Sequence, residues 1–293
     1  MAQPETARQV AAIRKPRDDE VDMYGLTHTG NVRKENQDHF LVCSLRKQVQ
    51  VHHTSLPTGD TLALPGDRLA FLAMVADGVG GGTKGETASR LALETVTRYV
   101  ADCMRAYHQL DTSDDSAFHD ALQEAAWRSH ASVVAEAEAN PERRGMATTL
   151  TLWLAVWPRA YLLQVGDSRF YVYRDGELTR ISRDQTMAQE LVDKGVLPMS
   201  AAFESRWAHV LSSSIGGQQT APLVTRMDQD WNNINLLCSD GLTKHVSEDR
   251  IAERLGAMTS AQQVCQDLLQ DALDGGGTDN ISVIVVRDVK KGE

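Results

Sequence analysis

The hydrophobic pattern of the chain is organised around one run. Leu69-Ala-Phe-Leu-Ala-Met-Val-Ala76 carries no charge over eight residues, stops at Asp77, and is followed by Gly78, Gly80, Gly81 and Gly82. Such a length suits a β-strand covered on both faces, and the glycines allow a sharp bend at its end. Shorter apolar segments predict further strands over 24–28, 40–43, 150–157, 160–165, 170–173, 178–181, 221–228, 235–240 and 281–286. The period changes to a helical one over 84–109, where Ala88, Leu91, Ala92, Thr95, Val96, Tyr99 and Val100 recur at spacings of three and four. Helices are also predicted over 117–139, ended by Asn140-Pro141, over 185–194, from Ser247, and over 260–273. At Ser247 the cap signal is partial, because Arg250 stands where a capping box has Glu or Gln.

The connections narrow the fold class. Pro158-Arg159 and Asp175-Gly176 are two-residue links, so the strands between 150 and 181 read as an antiparallel meander broken by Gly166-Asp-Ser-Arg169. Such a meander excludes a doubly wound nucleotide-binding fold, and the two long helices before it suggest a helical layer on a sheet. Residues 1–21 are polar and read as a flexible tail, and 22–288 as one domain. The segment 46–67 reads as an irregular insertion; its His52 and His53, adjacent in sequence, would face opposite ways on a strand and do not make a shared metal site. The irregular stretch 184–217 has the character of a flap.

Composition changes this picture little. With 42% hydrophobic residues the chain can bury a sizeable core, and its formal charge of −10 argues against nucleic acid as a partner. The cysteines at 43, 103, 238 and 265 show no paired zinc-type spacing and read as free thiols. No secretory signal is evident at the N-terminus, and no apolar run reaches the roughly 20 residues that span a bilayer. The expectation is a cytoplasmic monomer that contacts no membrane.

Candidate chemistry lies where acids meet glycines. Asp77-Gly78, Asp240-Gly241 and Gly277-Thr-Asp279 each sit at a strand edge, the first two after a strand and the third before one. Antiparallel pairing can gather all three at one end of the molecule. Carboxylates so close repel one another unless cations intervene. Two divalent ions about 3.5–4 Å apart are the usual arrangement for phosphate-ester hydrolysis, and Arg33 could supply a bidentate fork to the phosphate.

Six segments in order carry a resemblance: Gly30-Asn-Val-Arg-Lys-Glu-Asn-Gln-Asp38, Val75-Ala-Asp-Gly-Val-Gly-Gly81, Gly145-Met-Ala-Thr-Thr149, Val165-Gly-Asp-Ser-Arg169, Leu237-Cys-Ser-Asp-Gly241 and Gly277-Thr-Asp-Asn280. Together they span about residues 22–288, and the chain resembles the metal-dependent protein serine/threonine phosphatases, the type 2C or PPM family, in its compact bacterial branch. The resemblance implies an α+β fold, a four-layer α-β-β-α sandwich of two antiparallel sheets with metal in the cleft between them. It implies two Mn2+ or Mg2+ ions, with Asp77 bridging both, the Gly78 carbonyl on one, and Asp240 and Asp279 on the other. Asp38 would hold metal-bound water and Arg33 would bind substrate phosphate. Asp167 is given a structural role. The substrates implied are proteins carrying phosphoserine or phosphothreonine, with a Ser/Thr protein kinase and its targets as partners.

Departures from the family pattern have consequences. Val79 stands where animal members carry a histidine proposed as general acid, so the leaving group must draw its proton elsewhere. Bacterial members often hold a third metal through an Asp shortly before the Gly145 motif; here the nearest acid is Glu142, which would reach only a weak third ion, and Ala147 replaces the motif's middle glycine. Gln37 replaces an acid before Asp38. The competing reading is a catalytically silent phosphatase-like regulator that binds phosphoproteins. Retention of Arg33, Asp77, Asp240 and Asp279 argues against it, and the acidic charge argues against a two-metal nuclease.

Overall fold

A computed structural model describes residues 14–46, 49–57, 68–107, 115–202 and 205–290. Alternation along the strands builds its layers. In β2 (Asp38–Arg46), which follows β1 (Val21–His28), Leu41, Cys43 and Leu45 face helices, while Phe40 and Val42 face a second sheet. The long run behaves in the same way in β4 (Arg68–Val79), the strand after β3 (Val49–Thr54): Leu72, Met74 and Ala76 meet helices, and Phe71, Ala73 and Val75 meet the other sheet. This two-sided burial accounts for a run with no polar residue.

The first sheet has seven strands. Beside β2, β3 and β4 it contains β5 (Ala147–Thr148), β6 (Leu150–Val156), β7 (Arg159–Val165) and β10 (Leu223–Asp228), in the order β10-β7-β6-β4-β2-β3, with β5 paired to the end of β4. The second has five, β1-β12-β11-β8-β9, adding β8 (Arg169–Arg174), β9 (Glu177–Arg180), β11 (Ile234–Cys238) and β12 (Ile281–Asp288). All pairings are antiparallel. Helices α1 (Thr83–Tyr107) and α2 (Asp115–Ala139) cover the first sheet through Ala88, Leu93, Val96 and Leu122. After α3 (Met187–Asp193), α4 (Met199–Ala202) and α5 (Asp240–Thr243), helices α6 (Glu248–Gly256) and α7 (Ala261–Asp274) cover the second sheet through Ile251, Leu255, Val264 and Leu268. A third apolar layer, with Phe40, Trp153, Phe170, Leu237 and Ile284, lies between the sheets. This is the expected four-layer α-β-β-α sandwich.

Several local expectations change. The meander is not continuous: at 166–168 the chain leaves β7 in one sheet and enters β8 in the other. β4 does not stop at Asp77 but runs to Val79, because Gly78 and Val79 pair with Thr148 and Ala147 of β5. The insertion contains the regular strand β3, in which His52 bonds Ser44 and His53 packs edge-on against Tyr24; residues 47–48 and 58–67 lie outside the described residues. Of the expected tail, residues 14–21 are ordered against the domain: Arg14 pairs with Glu20, the Arg14 carbonyl accepts from Trp231, and Val21 opens β1. Residues 1–13 lie outside the described residues, as do 108–109 at the end of the first predicted helix. Trp127 is exposed on the outer face of α2.

Candidate active site

The register places the first two acids together. Asp38 opens β2 directly across from Asp77 in β4. Both share strand parity with residues of the inter-sheet layer, Asp38 with Phe40 and Val42, Asp77 with Ala73 and Val75, so both carboxylates belong to the inter-sheet face at one end of the sandwich. The second sheet supplies the others. Asp240 follows β11 and Asp279 precedes β12, and these strands are neighbours. The sheets are tied at this end by Ser282, whose hydroxyl donates to Asp38 Oδ2 at 2.8 Å while its amide donates to Ser239 Oγ at 2.9 Å.

The glycines and threonines of these segments hold Asp77 in place through its backbone. Thr148 Oγ1 and the Thr149 amide both donate to the Asp77 carbonyl at 2.9 Å, and the Asp77 amide donates to Thr149 Oγ1. A Cβ at Gly78 would collide with the Gly85 carbonyl, so only glycine lets α1 start this close to β4. The Arg33 loop is pinned with similar care. Gly30 has φ +81° and a Cβ there would strike the Asp279 carbonyl. Asn280 donates to the carbonyls of Thr29 and Glu35 and accepts from the Gln37 amide. Arg33 reaches Asp279 with two bonds, Nε to Oδ1 at 2.8 Å and Nη2 to Oδ2 at 3.0 Å.

Sequence reasoning gave no role to Lys244, yet its ammonium stands 2.7 Å from Asp240 Oδ2 and 2.7 Å from Asp279 Oδ2. The signal available was its position four residues after Asp240, one helical turn on; its contact with Asp279 crosses elements and leaves no local trace. Ser282 was likewise silent, since hydroxyls in strands are common.

The electrostatics follow from crowding. Burial pushes the Asp38 carboxyl up to about 7, against the opposing hydrogen bonds of Ser239 and Ser282 and with help from Asp240 and Asp279. Burial, then Asp38 and Asp240, raises Asp77 well above the carboxylate range. Burial also works against Asp279, but Lys244 and Arg33 outweigh it and hold its carboxyl low. Burial opposes the charge on Lys244 in turn, and Asp240 and Asp279 overcome it. Asp167 is buried where the chain changes sheets, its carboxyl raised by burial and then by Asp240 and Asp184.

A cleft of about 570 Å3 opens beside Asp240 and Lys244, lined also by Asp167, Arg169, Glu248, Met199 and His209. Asp240 and Lys244 thus connect the acidic cluster to this cleft. Glu142 lies in an exposed turn after α2, and no contact among the described residues joins it to Asp240. Val79 is exposed at the end of β4.

Two buried carboxylate oxygens, Asp38 Oδ1 and Asp240 Oδ1, have no hydrogen-bond partner among the described residues. Left so, each is costly. Among those residues no three acids, histidines or cysteines converge closely enough to enclose a metal, and Asp279 is engaged by Lys244 and Arg33. The donors nonetheless suit hard divalent cations: all are oxygens, and two are free.

An antiparallel four-layer α-β-β-α sandwich, with acids brought toward one end from both sheets and an arginine at their edge, defines the class of domain. The family follows from comparison. Residues 50–275 match the model of protein phosphatase 2C, and the chain belongs to that family. It is 35% identical over 217 residues to the serine/threonine protein phosphatase PstP of Mycobacterium tuberculosis, a match covering 74% of this chain but 40% of that protein. The crystal structure of the Mycobacterium tuberculosis phosphatase PstP/Ppp superposes with a TM-score of 0.72 at 29% identity, covering 92% of this chain and 99% of that one. A structure of the PstP catalytic domain in complex with two manganese ions superposes at 0.70, with 29% identity and the same coverage.

Proposed function

We propose that this chain is an active protein phosphatase that hydrolyses phosphoserine and phosphothreonine in proteins by direct attack of water, without a covalent phosphoenzyme. The observation that carries the reading is the set Asp38, Asp77, Asp240 and Asp279, assembled from two sheets with Asp38 Oδ1 and Asp240 Oδ1 buried and unpartnered. Two divalent ions, Mn2+ or Mg2+, would be held by Asp77, the Gly78 carbonyl, Asp240 and Asp279; the two manganese ions of the PstP catalytic domain support this assignment. When bound, such ions activate water and neutralise phosphoryl oxygens.

The chain's own residues do the rest. Ser282 fixes one oxygen of Asp38, which leaves the other to orient the attacking water. Arg33, held by the pinned loop, is placed to take the phosphate in its fork once released from Asp279. With Val79 rather than a histidine beyond the acids, the leaving seryl or threonyl oxygen takes its proton from solvent. The cleft beneath the flap receives the peptide around the phosphorylated residue. We assign no third ion to Glu142, which faces solvent. The partners are phosphoproteins, among them a Ser/Thr kinase and its targets, met by a cytoplasmic monomer; no described helix is long and apolar enough to cross a membrane.

The test is turnover of a phosphothreonine peptide with Mn2+, with EDTA, and by Asp240→Asn. Activity should require the ion and fall at least about a hundredfold in the variant, since even outer-shell changes at metal sites cost about 10–100-fold. A folded wild type inactive with Mn2+ would remove the reading.

A further inference from the structure

Asp279, one of the acids assigned to metal, has no oxygen left to give. Its Oδ1 accepts from Arg33 Nε and from the Asn280 amide, and its Oδ2 accepts from Lys244 Nζ and Arg33 Nη2. Asp240 is half engaged: Oδ2 meets Lys244 and Oδ1 is free. The Lys244 side chain is 23% exposed and its two partners 17% and 18%, so these ion pairs are partly shielded from water, which strengthens the interaction of close charges. An ammonium bridging both carboxylates competes with a divalent cation for the same oxygens and repels it by like charge.

We propose that Lys244 is a built-in counter-cation that neutralises Asp240 and Asp279 in the metal-free protein, so that metal binding is an exchange and Lys244 sets the affinity for the ion. The inference rests on the metal-dependent reading above. The exchange has somewhere to go. Lys244 lines the cleft together with Asp167 and Glu248, two further carboxylates that can receive the displaced ammonium without its leaving the protein. Lys244 caps the short helix that Asp240 opens, so the ammonium can swing away while the Asp240 backbone stays in place. Arg33 also pairs with Asp279, but its side chain is more exposed and among the described residues it bonds no other acid, so it does not bridge the two carboxylates as Lys244 does.

The exchange predicts a specific phenotype. A site whose oxygens are free only part of the time binds with an affinity reduced by that fraction. If the ammonium holds Asp240 Oδ2 about nine-tenths of the time, its removal tightens Mn2+ binding about tenfold. A lysine that merely positioned the acids for metal would give the opposite sign, because its loss would disorder them.

Calorimetric titration of MnCl2 into chelator-treated full chain reads this directly, alongside the melting temperature of the metal-free protein. Lys244→Met should bind Mn2+ about tenfold tighter than wild type and melt lower without metal, since two acids lose their counter-charge. Lys244→Arg should stay near wild type. If Lys244→Met does not fold, Lys244→Gln is read in its place. Wild-type binding accompanied by equal or weaker binding in the charge-removing variant overturns the proposal and leaves the phosphatase reading standing. Failure of the wild type to bind Mn2+ at all overturns both.

Discussion

At the scale of single residues, the site depends on side chains that never meet substrate. Asn280 is buried and makes three bonds to the backbone of the loop that carries Arg33. Asn280→Ala would leave those backbone groups to find water, and the expected loss is about 2–3 kcal/mol of stability, measured by urea unfolding. The same variant should raise KM for a phosphopeptide, because Arg33 loses its fixed position. Arg33→Lys separates the two effects. Lysine keeps the charge but cannot make the two-pronged contact, so KM should rise about tenfold while the urea midpoint stays within experimental error of wild type. If Arg33→Lys left KM unchanged, phosphate would have to be held elsewhere.

At the scale of elements, the outer helices carry an ion-pair cluster with a readable pH signature. Arg254 and Arg250 of α6 both reach Asp271 of α7, with bonds between 2.7 and 3.1 Å. Arg254 first, and Arg250 after it, hold the Asp271 carboxyl down at about 2 against the effect of burial. Because the folded value lies below the unfolded one, near 3.9, the contribution is present above about pH 4 and lost as pH falls toward 2. The arginines are partly exposed, which limits the contribution to on the order of 1 kcal/mol. Asp271→Asn should cost that much at pH 7 and flatten the stability curve between pH 4 and 2, as followed by thermal melts. Elements of this kind were legible in the sequence wherever burial imposes a period: the unbroken run of β4, sandwiched between helices and a sheet, and the three-and-four spacing of α1. The passage from β7 to β8 was not, because Gly166-Asp-Ser interrupts two apolar strands in the same way whether they share a sheet or not. Asp77, Asp240 and Asp279 stood out because an acid close to glycine at a strand end is costly without a purpose, whereas Asp38, with no glycine beside it, was singled out only by the resemblance. Lys244 was not, since nothing local in Thr-Lys-His announces a partner 35 residues away in Asp279.

At the scale of the whole molecule, the site exists only when the sandwich is closed. Asp38 and Asp77 belong to one sheet, Asp240 and Asp279 flank strands of the other, and the bond from Ser282 to Asp38 joins the two. Metal binding and packing between the sheets should therefore be linked, whereas packing of helices onto the outer faces should not. Leu237 and Leu268 are both fully buried, the first between the sheets and the second between α7 and the five-stranded sheet. Truncation of either to alanine opens a cavity worth about 2–5 kcal/mol. Their effects on the ion should differ. Leu237→Ala lets the sheets shift where they share the acids and should weaken Mn2+ binding, while Leu268→Ala should lower the melting temperature by a similar amount and leave Mn2+ affinity unchanged. Because an ion that binds only the folded state stabilises it by about 2.7 kcal/mol at a hundredfold excess over its dissociation constant, the comparison can be made by melting each variant across a MnCl2 series. Equal losses of Mn2+ affinity in both variants would mean that the acids respond to global stability alone and that the gap between the sheets has no special hold on them.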